Sequence, residues 1–484
     1  MDQLRDDAPL VHLPDGNFPR GLPQLAGLAT VREAARPGLG VEECVRRLKR
    51  LHFSLVQLHR IFTARITAEP HYELKTGFAH HAYLCAEHVH VLRSRVAEMR
   101  EPPLGLEAVP HAALAVLFDE IVATPTTTEL LAGLYEVALP AIDAACSRYL
   151  DETHPLTDAP SRRVVRFARL ELADMLAFGR QAIQTLVSAA ERERIQDWLT
   201  LLQAWLGAAG GLDGLSAPTP EPPERRYSAA PFRYDPIPRR DARFQDLWNQ
   251  GVNPEAFLYS AEYPPRAKAL MMLYKRIREL DVPEMMASII VQTPGKPWEY
   301  YLDMSRQLWD EARHSMMGEV GFAALGVDWT QARISWNWSY RLNTECNPFE
   351  RHAVLFFIEQ GLMPRTGKRY EFEVAQQSGL PLMATIQDFD WADEVLHSQI
   401  GRRWLVPELG GLDAALKYGD ECWSRIMSNW KSVREQGLTN HDNWWPALYR
   451  QACAAAGESP APHVLAFAET YEEKRADLHR VGME

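Results

Sequence analysis

The chain has 484 residues, 46% hydrophobic and 24% charged, with 52 basic against 64 acidic side chains and a net charge of −12. That length corresponds to about three domain-sized units, with room for apolar cores that need no disulfide or metal staple. The acidic balance argues against a general phosphate-binding surface. No apolar run approaches the roughly 18 residues of a spanning helix, and the start MDQLRDDAPL lacks the basic-then-apolar order of a secretory signal.

Apolar residues recur at i, i+3, i+4 and i+7 over Val41–Ile66, Leu74–Arg100, Thr128–Leu150 and Ser161–Leu186, with a fifth stretch at Glu191–Leu206. That is the period of amphipathic helix. Period-2 alternation is scarce, so the chain is expected to be nearly all-α. Gly207–Arg240 is too rich in Gly and Pro for a helix and reads as a linker running over the surface. Helical periodicity resumes with Ala267–Leu280. A kink or new start follows at Asp281-Val282-Pro283-Glu284, with Asp281 as cap and Glu284 three residues on. Further helices are expected from Pro297 to about Leu325, from Asn347-Pro348 to about Met363, and from Pro381 to about Leu405. The tail adds Leu412–Gly437 and Asn443–Ala456. The six cysteines are far apart, form no CxxC and read as reduced thiols of a cytoplasmic protein.

Two segments carry the chemistry: Asp310-Glu311-Ala312-Arg313-His314 and Asp393-Glu394-Val395-Leu396-His397. Each is DExxH within an amphipathic helix, where i and i+3 share a face. A carboxylate and an imidazole so placed can grip one side of a metal pair. Two such helices, with one Glu from each of two others, make the di-metal site of ferritin-like bundles. In an antiparallel pair turning at Pro294–Lys296, Glu311 is level with about residue 278, so Glu279 fits and Glu284 is the alternative. Glu359 lies 35 residues before Glu394 and fits better than Glu350. The expected ligands are Glu279, Glu311, His314, Glu359, Glu394 and His397, with Asp390 as a candidate extra donor. Asp310 and Asp393 could accept histidine N–H groups and fix the tautomer.

An internal repeat accompanies this set. Glu87 to Glu171 spans 84 residues and Glu311 to Glu394 spans 83; Glu136 lies 223 before Glu359. Glu87, His90, Glu136, Glu171 and Asp174 would then be a decayed or altered copy of the site, with Leu55 where the first Glu should stand. His80, His81 and His88 are expected to be solvent-exposed. Trp298, Trp309, Trp391 and Trp404 read as core packing, with an electron relay or pocket wall as the alternative. Trp336-Asn337-Trp338-Ser339-Tyr340 could border a substrate. Arg402-Arg403 could bind an anion but more often such a pair makes surface salt bridges. Arg365-Thr366-Gly367-Lys368-Arg369 reads as a solvated loop.

WDEARH, DEVLHSQIGRRW, the preceding IEQGL, and the two glutamates of Glu279-Leu280-Asp281-Val282-Pro283-Glu284 resemble the ferritin-like di-metal carboxylate superfamily. The similarity is to an uncharacterised group allied to the tRNA-modifying di-iron hydroxylases, and covers roughly Pro265–Leu405. It implies a ferritin-like bundle, a di-iron or related di-metal centre, and O2 chemistry.

The expected architecture is all-α: two tandem ferritin-like four-helix bundles with extra C-terminal helices. The N-terminal degenerate repeat would be 1–206, the linker 207–240, the metal-bearing bundle 241–410 and a helical extension 411–484. Carboxylate and imidazole donors suit two Fe ions, or Mn/Fe, and no thiolate favours a softer metal. The expected activity is a non-haem di-iron oxygenase or oxidase using O2 on a small organic substrate, with an external electron donor, no membrane or nucleic-acid partner, and homodimerisation plausible. The alternatives are a tRNA-modifying hydroxylase-like enzyme and a non-catalytic metal-binding scaffold.

Overall fold

The computed structural model describes residues 22–99, 105–219, 221–244, 246–249, 251–427 and 430–470. The opening decapeptide, Arg100 and part of the expected Leu412–Gly437 helix lie outside the described residues. The described residues are helical with no strand. They divide into two compact units: Met1–Gln57 with His88–Pro231, and Leu58–Glu87 with Phe232–Glu484. Residues 58–87, expected in the N-terminal bundle, therefore belong to the second unit.

Helices α1 (Val41–Ala68) and α2 (Tyr72–Ala97) each contribute to both units. The first unit continues with α3 (Ala112–Val122), α4 (Thr127–Ala132), α5 (Leu139–Glu152), α6 (Ala159–Leu186) and α7 (Gln196–Ala208). A π-helical segment, Gly133–Ala138, joins α4 to α5. At Gly133 a Cβ would come 2.4 Å from the Trp198 ring, so only glycine lets that fully buried indole pack there. Thr127–Glu152 is long and apolar enough to span a membrane by composition, contrary to the sequence reading, but 67% of its apolar window is buried inside the protein. Such burial marks a core helix equally well.

The Gly/Pro-rich stretch is not simply a surface linker. Arg50 donates to the carbonyls of Ala209, Gly211 and Leu212 at 2.9, 2.8 and 2.6 Å, satisfying the backbone past the end of α7. The Glu120 carboxylate accepts the backbone N–H groups of Arg226, Tyr227 and Ser228 at 2.9–3.1 Å. In the second unit Arg240, its side chain 1% exposed, reaches Asp281 and Glu284 at 2.8 and 2.9 Å. Buried polar groups of this kind hold the chain in place because leaving any one unpaired is costly.

The second unit contains α8 (Pro254–Tyr259), α9 (Pro265–Arg278), α10 (Asp281–Gln292), α11 (Trp298–Ala324), α12 (Asn337–Glu345), α13 (Pro348–Gly361), α14 (Lys368–Gln377), α15 (Pro381–Trp404), α16 (Leu412–Met427) and α17 (Trp445–Ala456). The long helices α11 and α15 pack on each other; α9 and α10 pack on α11, and α13 and α14 on α15. Leu270, Leu273, Ile277, Phe322, Met383 and Ile386 belong to the buried core beside them.

Two breaks matter. Pro283 has no N–H for the Glu279 carbonyl, which instead accepts from Val282 at 2.9 Å. The helix tightens there, and α10 starts at Asp281 with Leu280, not Asp281, at the cap. Between α13 and α14 a Cβ on Gly367 would lie 2.2 Å from the Leu362 carbonyl oxygen, so that turn requires glycine.

Candidate metal centre

α11 and α15 run unbroken for 27 and 24 residues, keeping the two DExxH segments in helical register. Both segments point inward: Glu311, His314, Glu394 and His397 are at most 2% exposed, and the two imidazole centroids are 5.8 Å apart. Glu359, near the end of α13, is 4% exposed. Glu279 sits at the α9–α10 break with its side chain 19% exposed, making it the most open donor of the set.

These side chains form three overlapping donor groups, each with ligand atoms within 4.8 Å of one another: Glu311, Glu359, Glu394 and His397; Glu279, Glu311 and His314; and His314, Asp390 and Glu394. All six expected ligands and Asp390 are thus brought together. Glu284 is not; it is buried in ion pairs with Lys75 at 2.8 Å and Arg240 at 2.9 Å.

His314 Nδ1, His397 Nδ1, Glu279 Oε2 and Glu394 Oε2 are buried without a hydrogen bond. The two Nδ1 atoms face carboxylate oxygens at 3.1 to 3.9 Å. Buried polar atoms are normally paired, so four such atoms aimed at one another mark a place suited to cations. The donors are carboxylates and imidazoles, which fit Fe(II), Mn(II) or Zn(II).

The other imidazole nitrogens are held crosswise between helices. His314 Nε2 on α11 lies 3.2 Å from Asp393 on α15, and His397 Nε2 on α15 lies 3.4 Å from Asp310 on α11. An ionised carboxylate only accepts, so each Nε2 carries a hydrogen, and Nδ1 is the ring atom that would ligate a cation once it gives up its own proton. Arg306 and Arg313 bind the same two aspartates; Arg306 donates to Asp310 at 2.9 Å and Arg313 to Asp393 at 2.8 Å.

Burial would raise Asp310, but the His397 and Arg313 donors hold it down at about 2. Glu311, also opposed by burial, is held at about 2 by His314 and His397. Glu359 is driven well above its ordinary value by burial and by the charges of Glu394 and Glu311. Glu394 resists burial and lies well below its ordinary value, chiefly through Lys368. Burial alone would depress both imidazoles; the carboxylates around them push both upward instead.

Lys368 and Arg276 are the residues that sequence reasoning missed. Lys368, expected in a solvated loop, is 1% exposed and reaches Asp390 at 2.9 Å and Glu394 at 2.8 Å. Arg276, equally buried, reaches Glu279 at 2.7 Å and contacts Asp390. A cation at the first residue of α14, opposite the acidic face of α15, could have been found only from the α13–α14 break. Glu371, one turn further along α14, accepts from Lys275 at 2.5 Å.

The N-terminal set does not assemble. Glu136 pairs with Arg192 and Asp174 is exposed. Glu171 pairs with His88 at 2.6 Å. No donor group among the described residues includes Glu87, His90, Glu136, Glu171 or Asp174. His81 and His88 are 3% and 8% exposed, and His80 stacks on Trp309 with centroids 4.4 Å apart, so these histidines are not a solvated face. Arg403 makes the surface ion pair, with Asp303 at 2.8 Å. The six cysteines are buried and form no disulfide, and none joins a donor group.

No family model, no curated protein and no solved structure matches this chain.

Proposed function

We propose that the second unit holds a non-haem di-iron or related di-metal centre in a ferritin-like four-helix arrangement, and that the protein is an O2-dependent oxidoreductase acting on a small organic substrate. One observation carries the reading: four ligand atoms on three helical segments are buried, lack a hydrogen bond and converge. Two irons bound there would supply the electrons that activate O2. Glu311 and Glu394, which link the group of Glu359 and His397 to the two groups that contain His314, would contribute to both positions, and Glu359 with His397 would complete one of them. Glu279, His314 and Asp390 would serve the other. Asp310 and Asp393 fix the imidazole orientation, and Arg276 and Lys368 offset the surplus carboxylate charge.

The test is anaerobic Fe(II) titration with elemental analysis and Mössbauer spectroscopy before and after O2. Two irons per chain, oxidised together on exposure to O2, is the expected outcome. Protein that retains no iron after reconstitution would overturn the reading.

A further inference from the structure

A cavity of about 180 Å³ shares a wall with the candidate centre. Glu279, Arg276 and Lys368 line it, and each belongs to the donor cluster or contacts it. Glu279 is the most exposed donor, so this is the side from which a small molecule reaches the cluster.

The charged part of the lining is already engaged. Lys275 is paired with Glu371 at 2.5 Å and lies 3.8 Å from Glu255. Arg276 holds Glu279 at 2.7 Å and contacts Asp390. Lys368 holds Asp390 at 2.9 Å and Glu394 at 2.8 Å. The Arg278 guanidinium packs 4.1 Å from the centre of the Trp338 ring and is engaged elsewhere as well. An ion entering this space would leave its water and find the counter-charges committed to one another. Burying a charge on those terms is costly, whereas a neutral molecule meets no such penalty.

The remaining wall is apolar. Phe357, Ile358 and Leu362, from α13 and its end, are only half-buried, so part of their surface is open to a guest. Trp338 from α12 and Trp423 from α16 add aromatic faces. Such a wall favours a hydrocarbon body. Size narrows the choice, since an apolar cavity of roughly 150 Å³ accepts benzene.

We infer that this cavity binds a neutral, apolar molecule about one ring in size, and that such a molecule is the substrate presented to the candidate centre. The substrate role rests on the proposed di-metal function; the preference for a neutral guest rests on the cavity alone. The guest would lie against Phe357, Ile358 and Trp338, and the buried ion pairs would stay intact around it.

The experiment is isothermal titration calorimetry of the full-length protein, before and after anaerobic Fe(II) reconstitution, with toluene, benzoate and benzylamine. The three share a ring and differ in charge. Toluene should bind both forms at least about tenfold tighter than benzoate or benzylamine. Ile358→Trp narrows the cavity and should weaken toluene at least about tenfold. Should that variant fail to fold by circular dichroism, Leu362→Trp, just past the end of α13, gives the same test. Saturating toluene should also change the near-infrared circular dichroism of the Fe(II)-loaded protein. Toluene that binds no tighter than benzoate or benzylamine, or that keeps full affinity in the folded tryptophan variant, overturns the proposal. An unchanged Fe(II) spectrum overturns the placement beside the centre. Iron measured on the same samples separates the two readings. Normal iron without a preference for toluene overturns the cavity assignment alone. A preference for toluene in protein that takes up no iron supports the cavity's selectivity and overturns the di-iron reading.

Discussion

Glu311 and Glu359 are both buried carboxylates in one cluster, yet they occupy different positions in it. Glu311 belongs to two donor groups and Glu359 to one. Glu311→Gln should therefore abolish binding of both irons, whereas Glu359→Gln should leave about one per chain, as read by elemental analysis after reconstitution. Equal losses in both variants would contradict the shared role of Glu311. Lys368 is a second case. Replacing it by Met leaves Asp390 and Glu394 without their buried ammonium. Breaking a buried pair from one side costs about 3 kcal/mol, which urea unfolding would measure. Because divalent ions would offset the same charge, added Fe(II) should stabilise Lys368→Met more than wild type; equal stabilisation would separate Lys368 from the centre.

At the scale of elements, the site depends on how closely α9 and α11 approach. Gly318 lies one turn past His314, and a Cβ there would meet the Ile277 nitrogen at 2.5 Å and the Leu273 carbonyl at 2.9 Å. Those atoms are backbone, so the helix itself must shift. Gly318→Ala should destabilise the unit by about 2 kcal/mol through overpacking. It should also weaken iron at the Glu279 position, because Glu279 immediately follows the displaced end of α9. Chemical denaturation and iron stoichiometry check the two parts, and a neutral Gly318→Ala would mean that this crossing has slack. The helices that carry DExxH were legible as amphipathic periods, and their ends came within a residue or two of Trp298–Ala324 and Pro381–Trp404. The segment α14 was not legible: it follows Pro364 and Gly367, and its Lys368 reads as a loop residue until Asp390 and Glu394 are seen opposite it.

For the whole molecule, acid stability follows from buried histidines away from the centre. Burial depresses His52, His59 and His352 to about 4 and His81 to about 3. Their folded values lie below the unfolded value of about 6.5, so between these limits the unfolded chain binds more protons. Stability is complete above about 6.5 and falls as the pH drops through this window. His81→Phe keeps a ring against Phe62, whose centroid is 5.1 Å away. It should reduce the stability lost between about pH 7 and about pH 4.5 by about 3 kcal/mol. Urea unfolding at the two pH values gives the comparison, and an unchanged difference would show that His81 does not titrate this way.

Helical period, the absence of period-2 alternation and the paired DExxH spacing are local properties, carried by side chains within a turn or two of each other. They were enough for an all-helical chain and for all six convergent donors, including Glu279 over Glu284, which counting from a turn could resolve. Contacts between distant segments obey no such spacing. The burial of Lys368 and Arg276 among the donors and the crosswise pairing of Asp310 with His397 and Asp393 with His314 arise only when helices pack. So do the capture of Arg240 by Asp281 and Glu284 and the pairing of Glu136 with Arg192 and of Glu171 with His88. A near-constant sequence offset can survive after side chains turn to other partners, because the offset records helix lengths, whereas ligation needs atoms within a few ångströms.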